Sequence, residues 1–243
     1  MAKKLNNAPL QEVIFELRWK VSGPEELQRF NYLHGDLYSL VKKDLKYRET
    51  LLPPEIPVEL YINRPIYRFR PVKGGYPLIQ IGPGILTTNT IDQDYYWEKF
   101  NTFTKDTLNN LFNVFQFPSG TNIDLALQYH DFFEFSFSNQ NIYKFLKDNL
   151  HIYFNQDFFI TSKNPNEISL GFSYNTEFGT FVIKINKGKN QQNKEGVIVQ
   201  FKVLHRKFEL EGEKIMTWVN NAHDICSDTF IKLTKGDLYN SFK

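Results

Sequence analysis

The chain has 243 residues, with 29 Lys and Arg against 27 Asp and Glu, and its formal net charge of +2 excludes a protein that binds nucleic acid through overall charge alone. Aromatic residues make up 16% of it, far more than disordered segments carry, so the chain has ample material for a core. The single cysteine, Cys226, excludes an intramolecular disulfide framework and predicts a reducing, cytoplasmic setting; no apolar run nears the roughly 20 residues that span a bilayer, and the polar Met1–Asn7 start lacks a signal-peptide core.

The first strand is predicted over Leu10–Lys20, where Val13, Phe15, Leu17 and Trp19 alternate with Glu12, Ile14, Glu16 and Arg18. Ser22-Gly23-Pro24 breaks it, and Pro24 opens a helix with the stripe Leu27, Phe30, Leu33, Leu37, Leu40, Val41 and Leu45. A link containing Pro53, Pro54 and Pro57 follows. Four short strands are then expected at Val58–Ile62, Ile66–Arg70, Tyr76–Ile81 and Ile85–Thr90, the last two joined by the hairpin signal Gly82-Pro83-Gly84. A helix beginning near Asp92 carries Tyr96, Trp97, Phe100, Phe103, Leu108 and Leu111 on one side.

After Pro118-Ser119-Gly120 the pattern restarts. Asn122–Phe137 alternates over its whole length, with Ile123, Leu125, Leu127, Tyr129, Phe133 and Phe135 on one face. A helix with Ile142, Phe145, Leu146 and Leu150 inward, capped by Ser138 or Asn139, comes next. Strands are predicted at Asp157–Thr161, Glu167–Tyr174, Phe178–Ile185 and Val197–Arg206, with Lys187–Lys194 as a mobile hairpin tip. The closing helix, Glu213–Leu233, ends before Thr234-x-x-Asp237, which reads as a capping box. Both parts therefore spell β-α-β-β-β-β-α. The expected fold is α+β, with two tandem β-α-β4-α halves (residues 1–117 and 118–243) in one continuous domain. Their curved, saddle-like antiparallel sheet would carry the helices on one face. That element order resembles each half of the TATA-box-binding-protein-like fold, and order of elements alone does not transmit function.

Helices on one side leave the other sheet face polar. In strand phase that face carries Glu12, Glu16, Arg18 and Lys20, then Arg68 and Arg70 flanking Phe69, then Gln128, His130, Lys184, Gln200, Lys202 and Arg206 with Phe132 among them. Arg18, Arg68, Arg70, Gln128, His130, Phe132, Lys184, Lys202 and Arg206 form the candidate binding face. Cations with interleaved aromatics can cradle a phosphate backbone and stack a base. The plainer reading is a charged surface that keeps a broad sheet soluble.

His130-Asp131 with Glu134 is the most chemical-looking cluster, but it lacks the further ligand pair that a metal or acid–base site needs, so a structural or binding role is expected. His223-x-x-Cys226 places both side chains on one helix face, with Cys226 on the apolar stripe as a buried, inert thiol. Gly82-Pro83-Gly84 and Lys73-Gly74-Gly75 read as turns, since neither precedes the Lys-Ser/Thr of a phosphate loop. No catalytic, cofactor or metal set is expected.

Four stretches carry a family resemblance: Pro9-Leu10-Gln11-Glu12-Val13-Ile14-Phe15-Glu16-Leu17-Arg18, Gln80-Ile81-Gly82, Tyr95-Tyr96-Trp97-x-x-Phe100, and Ala222-His223-Asp224 with Phe230. In order and spacing they resemble a sporadically distributed prokaryotic family of uncharacterised proteins. Leu127-Gln128-Tyr129-His130-Asp131 stands where that family usually has Leu-Arg-Tyr-x-Asn, so Gln128 replaces the family's arginine in this chain. The resemblance implies a cytoplasmic protein found near mobile or anti-phage defence loci. The expected function is a non-catalytic partner module acting through a nearby-encoded protein; the alternatives are nucleic-acid binding on the concave face and a His-carboxylate enzyme.

Overall fold

The alternation of apolar and polar residues over Leu10–Trp19 places Val13, Phe15, Leu17 and Trp19 in the interior, and this strand, β1, lies at the middle of the sheet. The structure is a computed structural model and describes residues 5–21, 23–53, 56–91, 95–154 and 164–243. Its other strands are β2 (Tyr47–Thr50), β3 (Tyr67–Arg70), β4 (Leu78–Gly82), β5 (Ile85–Thr90), β6 (Asn122–Glu134), β7 (Ser169–Thr176), β8 (Gly179–Lys189) and β9 (Glu195–Glu209). The helices are α1 (Pro24–Val41), α2 (Trp97–Val114), α3 (Ile142–Leu150), α4 (Gly212–Thr234) and α5 (Asp237–Asn240).

Among the described residues the nine strands form one open antiparallel sheet in the order β2-β3-β4-β5-β1-β6-β9-β8-β7. One contiguous core joins Val13, Phe15, Leu17 and Trp19 to the buried stripes of α1, α2, α3 and α4. Residues in the opposite phase of the strands lie outside that core, even where they are buried, as at Leu78, Ile85, Ala126 and Phe132. The chain ends are tied together: the Asn7 amide donates to the Phe242 carbonyl at 3.0 Å, and the Phe242 ring packs against Phe133 and Phe230.

Several expected elements differ. Val58–Tyr61 is one turn of 3-10 helix, since Pro57 has the backbone geometry that starts such a turn and the Leu60 amide donates to its carbonyl. The edge strand is instead Tyr47–Thr50, where the first helix was expected to be fading out; Leu45 is buried beyond the helix end at Val41. The helix expected from Asp92 begins at Trp97, and Asp92 itself lies outside the described residues. Asn141, not Ser138 or Asn139, caps α3 by accepting from the Lys144 amide at 3.0 Å. Strand pairing runs through Lys187–Lys189, with Lys187 bonded to Glu195 at 3.0 Å, so the hairpin turn occupies only 190–194. Thr234 forms no capping box: its hydroxyl donates back to the Phe230 carbonyl, and Gly236 precedes α5. The strand expected at Asp157–Thr161 lies outside the described residues.

Candidate functional site

Because partners in an antiparallel sheet share a face, the strand registers convert the polar phase into rows. Glu49, Arg68, Gln80, Thr87 and Glu16 make one row across β2, β3, β4, β5 and β1. Asn89, Ile14, Gln128 and Lys202 make the next, and Glu12, His130, Gln200 and Lys184 a third. Hydrogen bonds knit them together. Gln80 accepts from Arg68 at 2.9 and 3.1 Å and donates to Thr87 at 3.2 Å. Asn89 donates to Glu12 at 2.9 Å, and Gln200 donates to Gln128 at 2.9 Å.

The candidate cations divide into two groups. Arg18 donates to both oxygens of Glu16, at 2.6 and 3.0 Å, and to the Asn63 carbonyl. Arg68 and Arg70 share Glu49, each at 3.3 Å, and the nearly enclosed Arg70 also donates to the Gly75 carbonyl. These three arginines are therefore matched within the chain. Lys184, Lys202 and Arg206 pair with no carboxylate among the described residues. Half-burial lowers the Lys202 pKa; Glu16 opposes this shift, while the charges of Arg18, Lys184 and Arg206 add to it.

The aromatic part of the expected face is not available for stacking. Phe69 is fully buried on the helix side, 5.1 Å from the Tyr38 ring, because it alternates against Arg68 and Arg70. Phe132 is on the polar phase but only 8% exposed, with its ring lying where a side chain at Gly196 would stand. The His130, Asp131 and Glu134 cluster also separates. His130 lies 3.3 Å from the Gln200 amide, its pKa lowered chiefly by burial, and Glu134 pairs with Lys194 at the surface. Asp131, one residue out of phase, is buried on the opposite face.

That face holds a second site, missed by reading the motifs one at a time. A cavity of about 150 Å³ lies between the start of α2, the middle of α4 and the inner face of β6. Pro9, Leu10, Tyr95, Trp97, Tyr129, Asp131 and His223 line it, so three of the four resemblance stretches, and the central Leu127–Asp131 stretch, meet there. The Tyr95 and Tyr129 hydroxyls are 3.0 Å apart, and Tyr129 Oη is 2.6 Å from His223 Nδ1. His223 stacks on Trp97 at 3.7 Å and 8°. Burial pushes both phenols up and His223 down to about 4, so at neutral pH the relay offers uncharged hydrogen-bonding groups. Burial likewise pushes the enclosed Cys226 thiol up, which keeps it unreactive. Among the described residues no three His, Cys, Asp or Glu side chains are placed to hold a metal, and no helix is long and apolar enough to cross a membrane. Comparison with protein-family models, with curated proteins and with solved structures finds no match.

Proposed function

We propose that the protein is a non-catalytic binding module of two β-α-β4-α halves whose polar sheet face receives a protein partner encoded nearby, as an accessory subunit in prokaryotic anti-phage defence. The strand order supports the two halves: outward from β1 run β5, β4, β3 and β2, and outward from β6 run β9, β8 and β7. A saddle-like curvature of the sheet belongs to the same reading. The observation that carries the choice of partner is the internal matching of charge on this face, Glu49 with Arg68 and Arg70 and Glu16 with Arg18. A phosphate backbone is held by cations free to replace its counterions, whereas protein interfaces use mixed charge and about one hydrogen bond per 100–200 Å². Co-expression with the neighbouring genes tests the reading. A partner should co-purify, and Gln128→Arg, at the centre of the face, should reduce its recovery at least tenfold. Absence of any partner, or full recovery with that variant, removes the proposal.

Lys184, Lys202 and Arg206 favour a second reading, nucleic-acid binding on the β6-β9-β8 side of the same face. Arg68 and Arg70, expected from sequence to carry such binding, are engaged by Glu49. Three phosphate contacts predict a slope of log affinity against log salt of about −2 for a single strand, and Lys202→Ala should lower its magnitude by roughly 0.7. Fluorescence anisotropy with a labelled oligonucleotide at several salt concentrations measures this. Affinity that ignores salt eliminates it.

A further inference from the structure

The cavity on the helix side has a chemistry that the sheet-face reading does not use. Rings form much of its wall: Tyr95, Trp97, Tyr129, Phe201, Phe230 and Tyr239 all line it. Two pairs of them meet nearly at right angles, Tyr95 with Tyr129 at 84° and Phe201 with Phe230 at 85°, so that ring edges lie against ring faces. The volume of about 150 Å³ matches cavities that accept a benzene-sized molecule and falls below the space that drug-sized ligands occupy.

The relay of Tyr95, Tyr129 and His223 leaves one hydrogen-bonding position unspent. A hydroxyl has one proton to donate and two lone pairs. Tyr129 contacts both Tyr95 and His223, whereas Tyr95 Oη has Tyr129 as its one hydrogen-bond partner among the described residues. Neutral His223 carries its proton on one of its two nitrogens. With Nδ1 bare, Tyr129 donates to it and Tyr95 donates to Tyr129, so the Tyr95 oxygen is left to accept. With Nδ1 protonated the order reverses, and the Tyr95 proton is left to donate. A ligand hydroxyl, both donor and acceptor, satisfies Tyr95 in either arrangement; a carbonyl or an N–H satisfies it in only one. Charge is not part of the match. Among the described residues no lysine or arginine lines the cavity, Asp131 already has a partner in the chain, and Glu98 stands at an exposed position.

We propose that this cavity binds a small phenol, its ring held among the aromatic side chains of the wall and its hydroxyl on Tyr95 Oη. The site faces away from the polar sheet face and does not depend on what binds there. The same chemistry can arrive on a free small molecule or on the tyrosine side chain of a protein.

Calorimetric titration of the full chain with phenol tests this, with benzene as the ring without a hydroxyl and cyclohexanol as the hydroxyl without an aromatic ring. Phenol is expected to bind with a dissociation constant below about 1 mM, roughly threefold or more tightly than either control. Tyr95→Phe, which keeps the ring, should bring phenol down to the affinity of benzene while leaving benzene unchanged; thermal melts verify its fold. N-acetyltyrosinamide distinguishes the sources: binding as tight as phenol or tighter assigns the group to a protein, and weaker binding assigns it to a free ligand. No binding of phenol, binding no tighter than that of either control, or an unaltered preference for phenol in Tyr95→Phe overturns the proposal.

Discussion

Replacing Phe15 with alanine is expected to destabilise the protein by about 3–5 kcal/mol, the range for deleting a fully buried aromatic side chain from a core that cannot collapse around the gap. Phe15 is 0% exposed and sits on the central strand, opposite Thr88 of β5 on one side and Leu127 of β6 on the other. Above that position α2 is fixed to the sheet by the 2.8 Å contact between the Thr88 and Thr104 hydroxyls. The strands are held by their ladders and the helix by this buried bond, so little can move inward. Urea denaturation of Phe15→Ala and Phe15→Leu checks the effect, and Phe15→Leu should retain most of the stability. A loss under about 1 kcal/mol for the alanine variant would show that the centre of the sheet is loosely packed.

Acidification should destabilise the fold through His223. Its folded pKa is near 4, below the ordinary 6.5, because burial disfavours the imidazolium more than Asp224, Glu98 and Asp228 stabilise it. Between those values the unfolded chain binds a proton that the folded chain does not, so stability is full above about pH 6.5 and declines as pH falls toward 4. At about 1.36 kcal/mol per pH unit the whole window is worth about 3 kcal/mol, of which roughly 2 is lost by pH 5. His34 is lowered to about 4 as well, by burial and by the Arg48 guanidinium, but it is partly exposed and contributes less. Carboxylates titrate in the same window, so the informative quantity is a difference between variants. His223→Gln keeps a partner for Tyr129 and should lose less stability than wild type between pH 7 and pH 4. Parallel stability curves for the two proteins would refute the assignment.

Period-2 patterning was legible wherever it was long. β1, β5 and β6 stand within a few residues of their expected ranges, and Phe30, Leu33, Leu37 and Val41 of the expected α1 stripe are buried, although Leu40 is exposed. It failed where elements are short. Tyr47–Thr50 is four residues at a sheet edge and alternates in exposure only because Phe69 and its neighbours pair with it. Val58–Tyr61 is apolar enough to look extended, yet the preceding proline and the Leu60 amide close it into a turn. The charge of the polar face was misjudged for a related reason. Alternation tells which face Arg68 occupies, but Glu49 neutralises it only through the register of a strand that sequence did not reveal.

The cavity shows the same boundary. Each of its motifs was visible in the chain, but Tyr95 and Tyr129 lie 34 positions apart, and Tyr129 and His223 lie 94 apart. What sequence determined by itself was local: which residues prefer strand or helix, which side of each element is apolar, and that the aromatic content is mostly core. Tertiary structure alone decided which charges cancel and which side chains share a cavity. Backbone periodicity is set by neighbours one to four residues away, whereas ion pairs and pockets depend on strand register and helix placement, which only long-range packing selects.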